Sequence, residues 1–267
     1  MRMLRALIVV AFLALYILLL GPPFILHCVL TGNVEWLYFI GVGAAKLALR
    51  LGGVRVRAEG LENIPPQVCI FVANHTSNAD PPAVVSAIPR RVALLGKKEV
   101  FRVPIMARAL RLASFVSVDR SNREAAIASV ERALVELKKG VSFLVFPEGT
   151  RSPDARLRPF KKGTFVMAIR AGVPVVPISV VGAHRIMRKG EFALRTGEIL
   201  VKFHAPVDAR NYSLDQKEEL IACVHAIVAG GLPEDQRPLP EREEAPPPGP
   251  EREEAAKRPT TGEPSEI

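Results

Sequence analysis

The run Val68-Cys69-Ile70-Phe71-Val72-Ala73-Asn74-His75-Thr76-Ser77-Asn78-Ala79-Asp80-Pro81 decides the fold. Its first six residues are continuously apolar, as in a strand buried on both faces. Polar and reactive side chains follow at once, and Pro81 suits the first turn of a helix. A strand buried on both faces belongs to a sheet covered by helices on either side. In an open parallel sheet, ligands bind at the carboxyl ends of strands, so His75 stands where a reactive base is wanted.

Outward from this run the pattern recurs. Residues 91–95, 114–118, 142–146, 173–181 and 199–203 read as further strands, and 54–58 alternates with period two. Helical segments lie between them. The clearest covers residues 122–139. Ser121 and Glu124 form a capping box at its start, Ile127, Val130, Leu134 and Leu137 line one face, and Gly140 stops it. Ser213 and Gln216 open a late helix that ends near Gly230-Gly231. The alternation predicts an α/β fold, a largely parallel or mixed sheet flanked by helices.

The ends of the chain differ from this body, which we place at residues 52–232. Residues 1–51 hold four basic residues and one acidic, and no charge falls between Arg5 and Glu35. Residues 6–20 are apolar on all sides, but as a helix they would be only about 22 Å long. Gly21-Pro22-Pro23 is expected to break or sharply turn that helix. A second apolar stretch covers 36–51, with Trp36 and Tyr38 as interfacial anchors and Lys46 and Arg50 on one wet face. Basic residues flank the unit on both sides, which predicts a two-helix membrane anchor with both ends cytoplasmic. A single signal-anchor or a cleaved signal peptide are the competing readings, although no small-x-small site follows Leu20. Residues 233–267 contain nine prolines, ten acidic and five basic residues, and are expected to be a disordered tail.

The formal charge of +9 therefore understates the body, which carries +11. A basic body seeks an anionic partner: nucleic acid, membrane surface or phosphorylated ligand. Aromatic residues make up only 6% of the chain and no RNA or DNA motif is present, which argues against nucleic acid. Full-length disorder and a multi-span transporter are excluded by the spread and the shortness of the apolar runs. Cys28, Cys69 and Cys223 make neither a zinc spacing nor a disulfide framework. His27, His184, His204 and His225 lack ligand-spaced partners, so no metal site is expected, although His184 is placed to line the cleft.

Two segments carry chemistry. In the first, Asp80 lies five residues after His75. On a regular helix the two would stand about 140° apart. If 75–80 is a loop turning into a helix they can meet, and Asp80 then orients the imidazole and stabilises its charged form. The bland alternative makes Asp80 an N-cap before a helix that starts at proline. The second segment is Phe146-Pro147-Glu148-Gly149-Thr150-Arg151-Ser152, again directly after a buried strand. It brings together a carboxylate, a glycine, two hydroxyls and a guanidinium suited to phosphate, although Pro, Gly and Ser-Pro are also ordinary turn chemistry. Arg120 ends the strand at 114–118, and Arg156, Arg158, Lys161 and Lys162 keep the second region basic.

Asn74-His75-x4-Asp80 followed some seventy residues on by Phe146-Pro-Glu-Gly-Thr-Arg-Ser152 resembles the glycerolipid acyltransferases, most closely the bacterial 1-acyl-sn-glycerol-3-phosphate acyltransferases. Residues 114–120, 159–163 and 173–178 are similar to further blocks of that family, with Ser114 standing where a glycine is common, expected to be a modest backbone change. The resemblance covers roughly residues 50–205 and implies the following roles. His75 is the general base on the sn-2 hydroxyl of lysophosphatidate, and Asp80 is its partner. Arg120 and Arg151 hold the phosphate. Glu148, Gly149 and Thr150 shape the glycerol site, with Asn74 and Lys161 in support. It also implies an acyl donor carried on coenzyme A or acyl carrier protein, no cofactor, and direct attack without an acyl-enzyme. The implied location is the cytoplasmic face of a bacterial inner membrane, in contact with membrane lipid.

Overall fold

The computed structural model describes residues 1–118 and 123–239. Seven strands form one mixed sheet: β1 (Val54–Glu59), β2 (Ile70–Ala73), β3 (Val92–Lys97), β4 (Val116–Val118), β5 (Ser142–Val145), β6 (Val175–Val181) and β7 (Gly197–Phe203). Their order is β1-β7-β6-β2-β5-β3-β4. The strands from β6 to β4 run parallel, whereas β7 is antiparallel to β6 and parallel to β1. β2 and β5 are central and buried at every residue, as their unbroken apolar runs require.

Helices cover both faces. α1 (Arg2–Thr31), α2 (Glu35–Leu51), α3 (Asp80–Ala87) and the short α7 (Ala183–Ile186) lie on one side, over a core that includes Phe71, Ile178 and Phe203. α5 (Arg123–Lys138), α6 (Gly163–Ala171) and α8 (Lys217–Gly230) lie on the other, over Ile70, Phe143 and Phe165. α4 (Pro104–Leu112) packs beside α1. Ser213 and Gln216 bond reciprocally as a box would, but in the turn before α8, whose N-cap is Gln216. The Ser213 amide donates to Gln216 Oε1 at 3.1 Å and the Gln216 amide to Ser213 Oγ at 3.3 Å. Ser121, the expected cap of α5, lies outside the described residues, as does Arg120.

Four expectations need correction. Gly21-Pro22-Pro23 does not break α1, which is one continuous helix containing both prolines. Proline's fixed φ is itself helical, so the loss is confined to two hydrogen bonds and local crowding. Gly21 serves a different purpose: a Cβ there would stand 2.8 Å from Ile105 of α4, so the glycine is a helix-contact site. The turn comes at Gly32, whose φ of 69° is left-handed. Second, Ile127 is exposed rather than buried. α5 turns Ser129 toward the edge strand, where its hydroxyl bonds the Ser117 carbonyl at 2.9 Å, and Ala133, Leu134 and Leu137 face the core. Third, the tail does not start at Pro233. Glu234–Gln236 form a 3₁₀ turn, and the Leu157 amide donates to the Gln236 carbonyl at 2.8 Å. Residues 240–267 lie outside the described chain. Fourth, Ser114 is no modest change from glycine. Its φ is 67°, a left-handed conformation that disfavours any Cβ, and its hydroxyl bonds Glu136.

The apolar N-terminal helices are tied to the body by polar contacts near their ends. Tyr38 Oη receives the Val92 amide at 3.2 Å, and the Leu194 amide donates to the Arg2 carbonyl at 3.4 Å. At the far edge of the sheet, Gly60 follows β1 with a φ of 73°, and a Cβ there would lie 2.1 Å from the Phe203 carbonyl oxygen. Strain and backbone displacement together predict that Gly60→Ala costs about 3 kcal/mol of stability. A lowered denaturant midpoint for the purified protein in detergent is the expected result; an unchanged midpoint would contradict this close packing.

Candidate active site

The two motifs meet because β2 and β5 are adjacent and parallel. Each motif begins where its strand ends. Residues 74–79 form a loop, and α3 begins at Asp80. Asp80 does not cap the helix from outside. Its buried carboxylate points back into the loop, where Oδ2 accepts from His75 Nδ1 at 2.9 Å and from the Thr76 and Ser77 amides at 2.7 Å each. A carboxylate oxygen only accepts, so Nδ1 is the donor in this pair. Phe146, the last residue before the second motif's proline, lays its ring 4.5 Å from the His75 ring. The His75 side chain keeps 13% of its surface open, and among the described residues Nε2 has no partner.

Asn74 fastens the loop to the neighbouring strand. Its Nδ2 donates to the Val180 carbonyl at 3.0 Å and its Oδ1 accepts the Val180 amide at 2.7 Å, as a strand residue would. Glu148 fastens the two motifs together. Oε1 accepts the His75 amide and Oε2 the Arg158 amide at 3.2 Å. The Ser152 amide in turn donates to the His75 carbonyl at 2.8 Å. Burial pushes the Glu148 carboxyl up to about 8, against the lowering effect of its two backbone donors, and the charge of Asp80 raises it further. At neutral pH Glu148 is therefore protonated and adds no negative charge beside the cations of its own segment.

Those cations are only partly gathered. The Gly149 α-carbon lies against Lys161: a Cβ at Gly149, whose φ is 76°, would come 2.8 Å from Lys161 Cε. Thr150 is exposed. Arg151 is half-buried; its carbonyl accepts Lys189 Nζ at 2.9 Å, and its guanidinium has no partner among the described residues. His184 is half-buried on α7, and burial pulls its pKa below the ordinary imidazole value. No group of three or more metal-binding side chains occurs among the described residues.

Two cavities adjoin this loop region. One of about 430 Å³ lies between α1, α2 and the body and is almost wholly apolar, with Leu13, Ile17, Ala44, Ala48 and Met106 in its walls and Asn78 and Ala79 of the His75 loop at its edge. The other, of about 160 Å³, is lined in part by Gly149, Lys161, Leu95, Val130 and Val145.

Comparison with known proteins gives the family. Residues 55–181 match the family model described as Acyltransferase. The 1-acyl-sn-glycerol-3-phosphate acyltransferase of Limnanthes alba is 36% identical over 194 residues, 72% of this chain and 69% of that protein. The chain belongs to this acyltransferase family. The Escherichia coli K12 enzyme of the same name is 32% identical over 177 residues, 66% of this chain and 71% of its own length. The crystal structure of the 1-acyl-sn-glycerophosphate acyltransferase from Thermotoga maritima superposes with a TM-score of 0.73 at 32% identity, covering 86% of this chain and 96% of that one.

Several contributors to this site carried no legible signal. Val180 as the partner of Asn74, the Arg158 amide on Glu148, and the Ser152 bond to His75 depend on which strands become neighbours. Phe146 stands in the second motif, and its position at a strand end beside β2 was the available clue.

The proton held by buried Glu148 has a thermodynamic consequence. The folded pKa of about 8 exceeds the ordinary 4.5, so between those values the unfolded chain has released a proton that the folded chain keeps. This contribution to stability is present in full below about pH 4.5 and falls as pH rises to about 8. Glu148→Gln should abolish that slope. Its amide nitrogen cannot accept, so one backbone N–H loses its partner, at a cost of about 1–3 kcal/mol. Denaturant midpoints measured across pH check both; a slope that survives in E148Q would place the buried proton elsewhere.

Proposed function

We propose that this acyltransferase moves a fatty acyl group from an acyl thioester to the sn-2 hydroxyl of 1-acyl-sn-glycerol-3-phosphate, giving phosphatidate. The observation that carries this is the bond from His75 Nδ1 to Asp80, which leaves Nε2 as a free base at the mouth of the site. Nε2 takes the hydroxyl proton as the oxygen attacks the thioester carbonyl. The carbon–sulfur bond then breaks, and the imidazolium returns its proton to the departing thiolate. Asp80 stabilises the imidazolium between the two transfers. No bond to the enzyme forms, and no cofactor is needed beyond the donor's carrier, coenzyme A or acyl carrier protein. Cys69 has no part in this. It is buried, its thiol is pushed up to about 11 by burial, and Arg90 lies against its sulfur.

Arg151 and Lys161, with Arg120, hold the acceptor's phosphate by charge-assisted hydrogen bonds. Gly149 and Thr150 border the glycerol, and a protonated Glu148 leaves that pocket without an opposing charge. The apolar cavity between α1, α2 and the body seats an acyl chain, since its walls are hydrocarbon and its edge is the His75 loop.

α1 is long and apolar enough to cross a membrane and is a candidate anchor. We assign α1 and α2 together, residues 1–51, to the membrane and residues 52–239 to acyl transfer. Most of the apolar side chains of α1 are exposed, and basic residues flank the pair on both sides, which supports the cytoplasmic face.

His75→Ala should lower the rate with acyl-coenzyme A and lysophosphatidate at least 10²–10⁴-fold, roughly the contribution of a general base, with membrane association unchanged. Assays of the purified full-length protein against glycerol-3-phosphate and other lysophospholipids complete the test. Retained activity in H75A would remove the base from the mechanism, and preference for another acceptor would overturn the substrate.

A further inference from the structure

We infer that the segment spanning Lys98–Leu112 is a second membrane-contacting surface, which meets the same bilayer as α1 and binds its anionic headgroups. It comprises the 3₁₀ turn Lys98–Arg102 and the helix α4. Val100 and Val103 are 44% and 50% exposed at this turn, and Pro104 beside them is also exposed. Arg102, Arg108 and Arg111 are exposed among them, with Arg111 over the Phe101 ring at 6.0 Å. Apolar side chains open to solvent and interleaved with arginines are the composition of an interfacial segment, not of a solvated loop.

Continuity with α1 selects the occupant. α4 lies against α1, and the contact leaves an open groove of about 460 Å³ between Pro22, Leu26 and Val29 of α1 and Pro104, Ile105 and Arg108 of α4. The neighbouring α1 side chains Leu26, Val29 and Leu30 are 58%, 49% and 75% exposed. A bilayer that takes up this flank of α1 also covers the turn and α4, and hydrocarbon from a lipid fits the groove. A soluble partner would have to displace that bilayer. The arginines at the rim match anionic headgroups, each adding to surface attraction.

The inference rests on α1 lying in a bilayer, as proposed above, but not on the acyl-transfer chemistry. The chain has one tryptophan, Trp36, which is 58% exposed on α2. Three proteins are reconstituted in phosphatidylglycerol–phosphatidylethanolamine vesicles: wild type, V103W in a W36F background, and L214W in the same background. Leu214 is 47% exposed in the turn before α8, which covers the sheet face opposite α1. Lipids brominated near the headgroup end of the acyl chain should quench Trp36 and V103W and leave L214W emitting. Quenching of Trp36 with V103W no more affected than L214W would overturn the inference and spare the anchor. Quenching of none would overturn both. As a second measure, R102E/R108E should transfer acyl groups to lysophosphatidate in these vesicles about tenfold more slowly, with detergent-micelle rates unchanged. An equal loss in micelles, or a loss confined to acyl carrier protein as donor, would contradict headgroup binding.

Discussion

Asp80 Oδ2 is the point on which the site depends. A carboxylate taken out of water costs several kcal/mol unless its oxygens are well bonded. This one is fully buried: Oδ2 gathers three N–H donors, from the His75 ring and the Thr76 and Ser77 amides, while Oδ1 has no partner among the described residues. The two amides close the loop that joins β2 to α3. The ring donor sets the orientation of the imidazole and the nitrogen that carries its proton. One oxygen thereby determines both the local backbone and the chemistry, and any side chain that cannot accept all three donors disturbs both.

The sheet supplies what Asp80 cannot. β2 lies between β6 and β5, and the loop after it is fastened on both sides, through Asn74 to Val180 and through the His75 amide to Glu148. Glu148 is buried and holds its proton at neutral pH. The second motif can therefore brace the first from within while its own cations remain unopposed. Gly149 turns the chain with a positive φ and lets Lys161 approach. Rigid strand ends carry His75 and its braces, and a more open rim carries Arg151 and Lys161.

The central strands were legible because residues buried on both faces leave an unbroken apolar run, and the site was legible because reactive residues follow two such runs at once. His75 and Asp80 could be paired only by supposing a loop where a helix was also conceivable, and the loop is what forms. Asn74 gave no sign of its role, since its two bonds to Val180 join residues 106 positions apart. The Pro22-Pro23 pair misled because propensity counts a local cost, whereas α1 continues through it and Gly21 admits Ile105 of α4. Composition also placed the start of the tail too early. Gln236 is buried and its backbone is bonded to residue 157, a tertiary contact that a proline- and acid-rich stretch does not announce.

The central claim is that Asp80 holds His75 as the Nδ1–H tautomer with Nε2 free. Nitrogen-15 NMR of protein labelled at histidine reads this directly, with the His75 signals assigned from their absence in H75A. In the neutral ring, Nδ1 should show the shift of a protonated, pyrrole-like nitrogen and Nε2 that of an unprotonated, pyridine-like one. The reverse pattern, with the proton on Nε2, would contradict the account.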